Sequence, residues 1–145
     1  MLKALPFLWF LLAALGAVAQ LYVMGLAGAD AGTALLSTAS SLLITTVSTI
    51  GMALVYLLIL RTRPSLSVAI IGYSHLFLAG AAQVGQAIGS MERNRYLTGE
   101  GSTDYTAISF AYTAAGLATL LGGIVFILAL IVALNTRYEA PEDVF

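Results

Sequence analysis

Residues 105–134, YTAISFAYTAAGLATLLGGIVFILALIVAL, decide the fold. The stretch holds no charged residue and no proline. A helix rises 1.5 Å per residue, so ~20 apolar residues cross the ~30 Å hydrocarbon core of a bilayer. This run is longer than that. Oil offers backbone amides no partner but each other, so such a run becomes a helix or part of a closed barrel. Barrel strands alternate in polarity over ~10 residues, and no such alternation is present.

The rest of the chain follows suit. Of its 145 residues, 60% are hydrophobic and 9% charged, where a soluble domain carries roughly a quarter charged residues. The charges gather at Lys3, at Asp30, at Arg61 and Arg63, from Glu92 to Asp104, and after Asn135. Between them lie three further uncharged runs, residues 4–27, 35–60 and 66–90. The reading is an all-α polytopic membrane protein: one four-transmembrane-helix bundle over residues 1–145, closed by a short polar tail at 135–145. The connection at 28–34 is short and Gly/Ala-rich. Arg61-Thr-Arg-Pro-Ser65 reads as a tight basic turn, because Pro64 cannot continue the incoming helix and Ser65 or Ser67 can cap the next. The third connection, 91–104, is the longest, with a turn at Gly99-Glu-Gly101 and Ser102, Thr103 or Asp104 as cap of the last helix.

Short loops richer in Lys and Arg face the cytoplasm. Lys3, Arg61, Arg63 and Arg137 fall on one side and Arg93 and Arg95 on the other, which predicts both termini in the cytoplasm. The start of the chain also has the layout of a signal peptide, with Lys3, an apolar run and Ala17-Val-Ala19 before Gln20. The apolar run continues through Leu26, so we read an uncleaved first span. An Ala-rich chain in which neither Asn94 nor Asn135 begins a glycosylation sequon fits a bacterial plasma (inner) membrane.

Several functions are disfavoured. With no cysteine, disulfides, thiol chemistry and Cys-ligated metals are excluded. A net charge of −1 implies no nucleic-acid partner. No Asp, Glu, Lys or Arg lies inside a span, where ion-coupled transporters and proton pumps keep one. No phosphate-binding, nucleophilic or dinucleotide motif is present, so no enzyme activity is expected.

At 100° per residue each span has a face predicted to look inward. On the first it carries Trp9, Ala13, Gly16, Gln20 and Met24; on the second Ser37, Ser41, Thr45, Ser48 and Met52, with Thr49 and Tyr56 at its edge. The third places Gly72, His75, Ala79, Gln83, Gln86 and Ser90 on a polar arc. Beside it runs a small-residue arc with Gly85-x-x-x-Gly89, and Ile70, Tyr73, Phe77, Val84, Ile88 and Met91 lie opposite, toward lipid. On the fourth, Ser109, Tyr112, Thr113, Gly116, Leu120 and Gly123 share a face. Gly85, Gly89 and Gly116 are therefore expected helix-packing positions. With antiparallel spans, Gln20, Ser41, Gln83, Gln86 and Thr113 share the outer half, while the cytoplasmic half is aliphatic. The expectation is an outward-facing cleft or a side-chain hydrogen-bond network at the polar end.

Each candidate has two readings. His75, the single histidine, is either a haem ligand or proton relay, or a neutral side chain bonded to a Ser, Thr or carbonyl of the next helix. Alone it builds no protein-only metal site. Gln20, Gln83 and Gln86 hold a ligand headgroup such as a quinone, or tie helices together at about 0.6 kcal/mol per bond. Ser41, Thr113 and the Ser/Thr stripe line a path or serve as interface residues. Trp9, Tyr56, Tyr96, Tyr105 and Tyr138 read as interfacial belt aromatics. The expected function is a small non-catalytic subunit that stabilises or assembles a larger membrane complex, an energy-transducing one included, with lipid and other membrane subunits as partners and no required cofactor. The alternatives are a homo-oligomeric channel or carrier for a small solute, and a quinone- or haem-binding subunit.

Overall fold

The structure, a computed structural model, describes residues 3–27, 32–99 and 105–135, without the side chains of 24–27 and 32–38. It is an all-α bundle of four helices: α1 Ala4–Ala27, α2 Gly32–Thr62, α3 Leu66–Thr98 and α4 Tyr105–Asn135. Each is long and apolar enough to span a membrane. The expected caps at residues 102–104, Tyr138 and the tail after Asn135 lie outside the described residues, as do the side chains of Met24 and Ser37.

The largest departure from the expected boundaries is at the end of α3. α3 does not stop at Ser90 but continues to Thr98. Charge marks where the membrane ends, not where the helix ends: Glu92, Arg93 and Arg95 are good helix formers, and Arg95 pairs with Glu92 at 3.0 Å one turn back. Gly99 stops the helix, adopting the left-handed conformation at φ 71° with its N–H on the carbonyls of Arg95 and Tyr96. At the other end Ser65 takes the N-cap backbone position, but its hydroxyl makes no cap bond; its carbonyl instead accepts from Ala69 N–H at 3.0 Å.

The bundle is two helical hairpins. α3 packs most extensively on α4, α1 on α2, and α1 joins the hairpins through α3. The backbones of α2 and α4 hardly approach each other. The core lies at the end where Leu5 and Trp9 meet Tyr56, Leu60, Val68, Ala129 and Ala133. There Arg63, in the α2–α3 turn, donates to the carbonyls of Leu134 at 3.0 Å and Ala133 at 3.3 Å, closing the C-terminus of α4.

The faces are decided as much by size as by polarity. On α1, Trp9, Ala13, Gly16 and Gln20 are buried, and on α3 Ile70, Phe77, Val84 and Ile88 of the lipid arc are exposed while Tyr73 and Met91 are half-buried. α4 is turned away from the expected face: Ser109, Tyr112, Thr113, Gly116, Leu120 and Gly123 are all exposed. It buries instead a stripe of Ala111, Ala115, Ala118, Gly122, Ala129 and Ala133. The cause is close approach. A Cβ added at Gly85 would stand 3.0 Å from Ala115 Cβ and 3.1 Å from the Ala111 carbonyl, and one at Gly89 would stand 3.2 Å from the Tyr112 ring. Only the alanine face of α4 is flat enough to sit there, since van der Waals fit drives helix association in lipid. Gly116, expected to pack, meets nothing within 4 Å of where its Cβ would be.

Candidate membrane-embedded ligand cleft

Trp9 and Tyr56 are not belt residues. They are 1% and 0% exposed and stack with ring centroids 5.7 Å apart. The reason is that the polar edge of each ring faces inward. His75 lies edge-on to Trp9 at 4.8 Å, and Phe126 closes the cluster 5.4 Å from His75. Tyr56 Oη and His75 Nδ1 share a hydrogen bond of 2.9 Å. The histidine's partner is thus a tyrosine of α2, not a Ser, Thr or carbonyl. When Tyr56 donates, the neutral ring keeps its proton on Nε2, the edge that looks toward Gly122 of α4.

Above this cluster the hairpins part. The space left is a cleft of about 240 Å³, floored by Trp9 and His75 and continuing past Gln83 to Gln86. One wall is Thr45, Ser48, Thr49 and Met52 of α2, the other Ala118, Thr119 and Gly122 of α4. Ile44 and Ser48 on α2 and Thr119 on α4 are exposed at the rim. α2 and α4 hardly pack on each other, and exposed rim residues of the cleft lie on both. No lining residue is Asp, Glu, Lys or Arg.

The lining hydroxyls are partly occupied by their own helices. Thr49 bonds the carbonyl of Thr45, and Thr119 that of Ala115 at 2.8 Å, as Ser and Thr in membrane helices commonly do. Two buried atoms of the lining have no hydrogen-bond partner among the described residues: the indole N–H of Trp9 and the amide oxygen of Gln83. Gln83 lies directly against Gly16 of α1, in the space a side chain there would fill. Glycine at 16 is what lets the amide reach between the hairpins.

Of the residues singled out in the sequence, His75, Gln83 and Gln86 come together here. Gln20 is buried in α1 and Ser41 half-buried in α2, and neither lines the cleft. Thr113 is exposed and lines a separate concavity of about 480 Å³ with Arg93, Tyr96, Tyr105 and Tyr112. There Tyr96 and Tyr105 meet at 6.4 Å, and Ser90 contacts Tyr112 at 3.3 Å. Sequence reasoning missed Trp9, Thr119 and Gly122 as lining residues. The available signal was the alanine–glycine spacing of α4, which fixes the face carrying Ala118 and Gly122.

The fold and site define a class: a four-helix membrane bundle with a cleft lined by uncharged residues. Comparison of the chain with protein-family models, with curated proteins and with solved structures finds no match in any of the three.

Proposed function

We propose that the chain is a non-catalytic membrane subunit whose α4 receives a helix of a neighbouring membrane protein. One observation carries this reading. The outer face of α4 presents Gly116 and Gly123, two turns apart, with open space where each Cβ would be. A surface that meets only lipid has no use for glycine, and the lipid arc of α3 is correspondingly bulky. Small residues on a transmembrane face serve close helix approach. The charge bias of the short loops supports cytoplasmic termini, and the composition supports a bacterial inner membrane.

The test is purification in mild detergent. Unrelated membrane subunits should co-purify with the native chain and be lost from Gly116→Ile and Gly123→Ile variants that remain folded. A discrete homo-oligomer disrupted by the same variants would favour the second reading, a self-assembled channel or carrier. A free monomer would contradict both.

A haem-binding role finds less support. The cleft is smaller than the ~300–1,000 Å³ of typical cofactor pockets, and His75 Nε2 faces a helix wall.

A further inference from the structure

The concavity at the loop end of the α3–α4 hairpin has a volume of about 480 Å³, within the ~300–1,000 Å³ of small-molecule sites. Among the described residues its lining holds one charged side chain, Arg93. The neighbouring Arg95 is held by Glu92 at 3.0 Å. Arg93 is exposed and makes no ion pair with any described residue. No carboxylate stands among the described lining residues, so the charge of the site suits an anion. Tyr96 and Tyr105, whose rings meet at 6.4 Å, add two phenolic hydroxyls able to donate.

Depth tells a lipid from a soluble anion. α4 has 31 residues, about 46 Å of helix, against a hydrocarbon core of ~30 Å. The excess is roughly 8 Å, or about five residues, at each end. Residues 105–109 then stand at headgroup level, and Tyr112 and Thr113 lie below the boundary. On α3 the boundary is marked by Glu92 and Arg93, the first charges after the uncharged run that ends at Met91. The concavity therefore crosses the boundary. It is cationic where the bilayer is ionic, and it continues past the buried Ile108 to Tyr112 and Thr113, where the bilayer becomes oil. A free phosphate, or an acidic segment of a soluble partner, would fill the upper part alone. A phospholipid matches both parts.

We propose that this concavity binds an anionic phospholipid, with its phosphate on Arg93 and an acyl chain running down past Thr113. A guanidinium presents a planar fork of donors that matches phosphate oxygens in pairs. The described lining offers no carboxylate to the ammonium group of a zwitterionic headgroup, so selection falls on net negative charge. The site goes beyond the partner reading. It uses neither Gly116 nor Gly123, and either proposal can fail without the other.

The test reconstitutes the full chain in vesicles of equal parts phosphatidylglycerol and phosphatidylcholine of the same chain length. The protein is released into mild detergent and its retained lipids are counted by native mass spectrometry. The wild type should keep phosphatidylglycerol about fivefold more often than phosphatidylcholine, the factor expected of one arginine at an anionic lipid surface. Arg93→Gln should remove the preference. Arg95→Gln, which takes the same charge from the same helical turn, should leave it. Ser109→Trp fills the concavity from an exposed lining position and keeps Arg93. It should also remove the preference, with an SDS unfolding midpoint like that of the wild type. Equal losses in Arg93→Gln and Arg95→Gln would overturn the proposal, since they report diffuse surface charge. Equal retention of the two lipids by the wild type, or an unchanged preference in a folded Ser109→Trp chain, would overturn it as well. Displacement of phosphatidylglycerol by millimolar glycerol phosphate would do the same, because it marks a site for a soluble anion.

Discussion

Adding one methyl group at Gly85 and one at Gly116 should have opposite consequences for the bundle. At Gly85 the new carbon falls 3.0 Å from Ala115 Cβ and 3.1 Å from the Ala111 carbonyl, with Ala115 Cα at 3.4 Å. Two of these three neighbours are backbone atoms, and none is the end of a flexible side chain. The helices must therefore separate by a few tenths of an ångström along their contact. Overpacking of this kind costs about 1–3 kcal/mol. At Gly116 the same methyl meets nothing within 4 Å. Replacing glycine by alanine within a helix also returns up to ~1 kcal/mol, but that term is common to both variants. The difference between Gly85→Ala and Gly116→Ala thus isolates the steric term, about 1–3 kcal/mol with Gly85→Ala the less stable. The assay is unfolding of the purified chain in mixed micelles by increasing SDS, followed by Trp9 fluorescence. Equal midpoints, or a later midpoint for Gly85→Ala, would refute the α3–α4 packing described here.

Further outcomes follow from single contacts. Tyr56→Phe should keep the aromatic stack but leave His75 Nδ1 without its tyrosine, costing about 0.6–1.7 kcal/mol, the range of hydrogen bonds between membrane helices. The same SDS titration checks this, and a neutral or stabilising effect would show that the 2.9 Å contact does not hold α2 to α3. Gly99→Ala forces an alanine into the left-handed conformation at φ 71°, a strain of roughly 1–2 kcal/mol. Amide exchange should accelerate in the last turn of α3, with the membrane-embedded part unchanged. Arg63→Gln should loosen the final carbonyls of α4, read as faster exchange confined to the α4 terminus. Glu92→Gln breaks a partly exposed i,i+3 pair and should leave stability within ~1 kcal/mol of wild type.

The parts of this architecture legible in the sequence are those where polarity contrasts with its surroundings. The spans stand out because charge is confined to their ends. α1 shows its inner face because Trp9 and Gln20 share a stripe with Ala13 and Gly16. The lipid arc of α3 shows because bulky and polar residues lie on opposite sides. α4 offers no such contrast. Nearly every residue from Ala114 to Leu134 is apolar, so the inner face is chosen by volume, through the fit of Ala111 and Ala115 against Gly85. Its few polar residues, Ser109, Thr113 and Thr119, point outward or bond their own backbone, so they were a misleading guide. For the site, His75, Gln83 and Gln86 were visible as intramembrane polar groups. Trp9 showed only as part of α1's inner stripe and Tyr56 only at the edge of α2's, and neither as a site residue, because aromatics near the end of a span resemble belt residues until a buried partner is known. Here that partner is His75, on another helix and 19 positions from Tyr56.

The claim on which the rest depends is that α4 lies within the bilayer with its alanine stripe turned to α3. It is tested by placing single nitroxide labels at successive α4 positions, on cysteines introduced into a chain that has none of its own. Collision rates with oxygen and with a water-soluble relaxing agent are then measured in vesicles of the purified protein. The account predicts low access of the water-soluble agent across the helix centre, with oxygen minima at 111, 115, 118, 122, 129 and 133 and maxima at 116, 120 and 123. Oxygen minima at 113, 116, 120 and 123, or free access of the water-soluble agent along the whole helix, would contradict it.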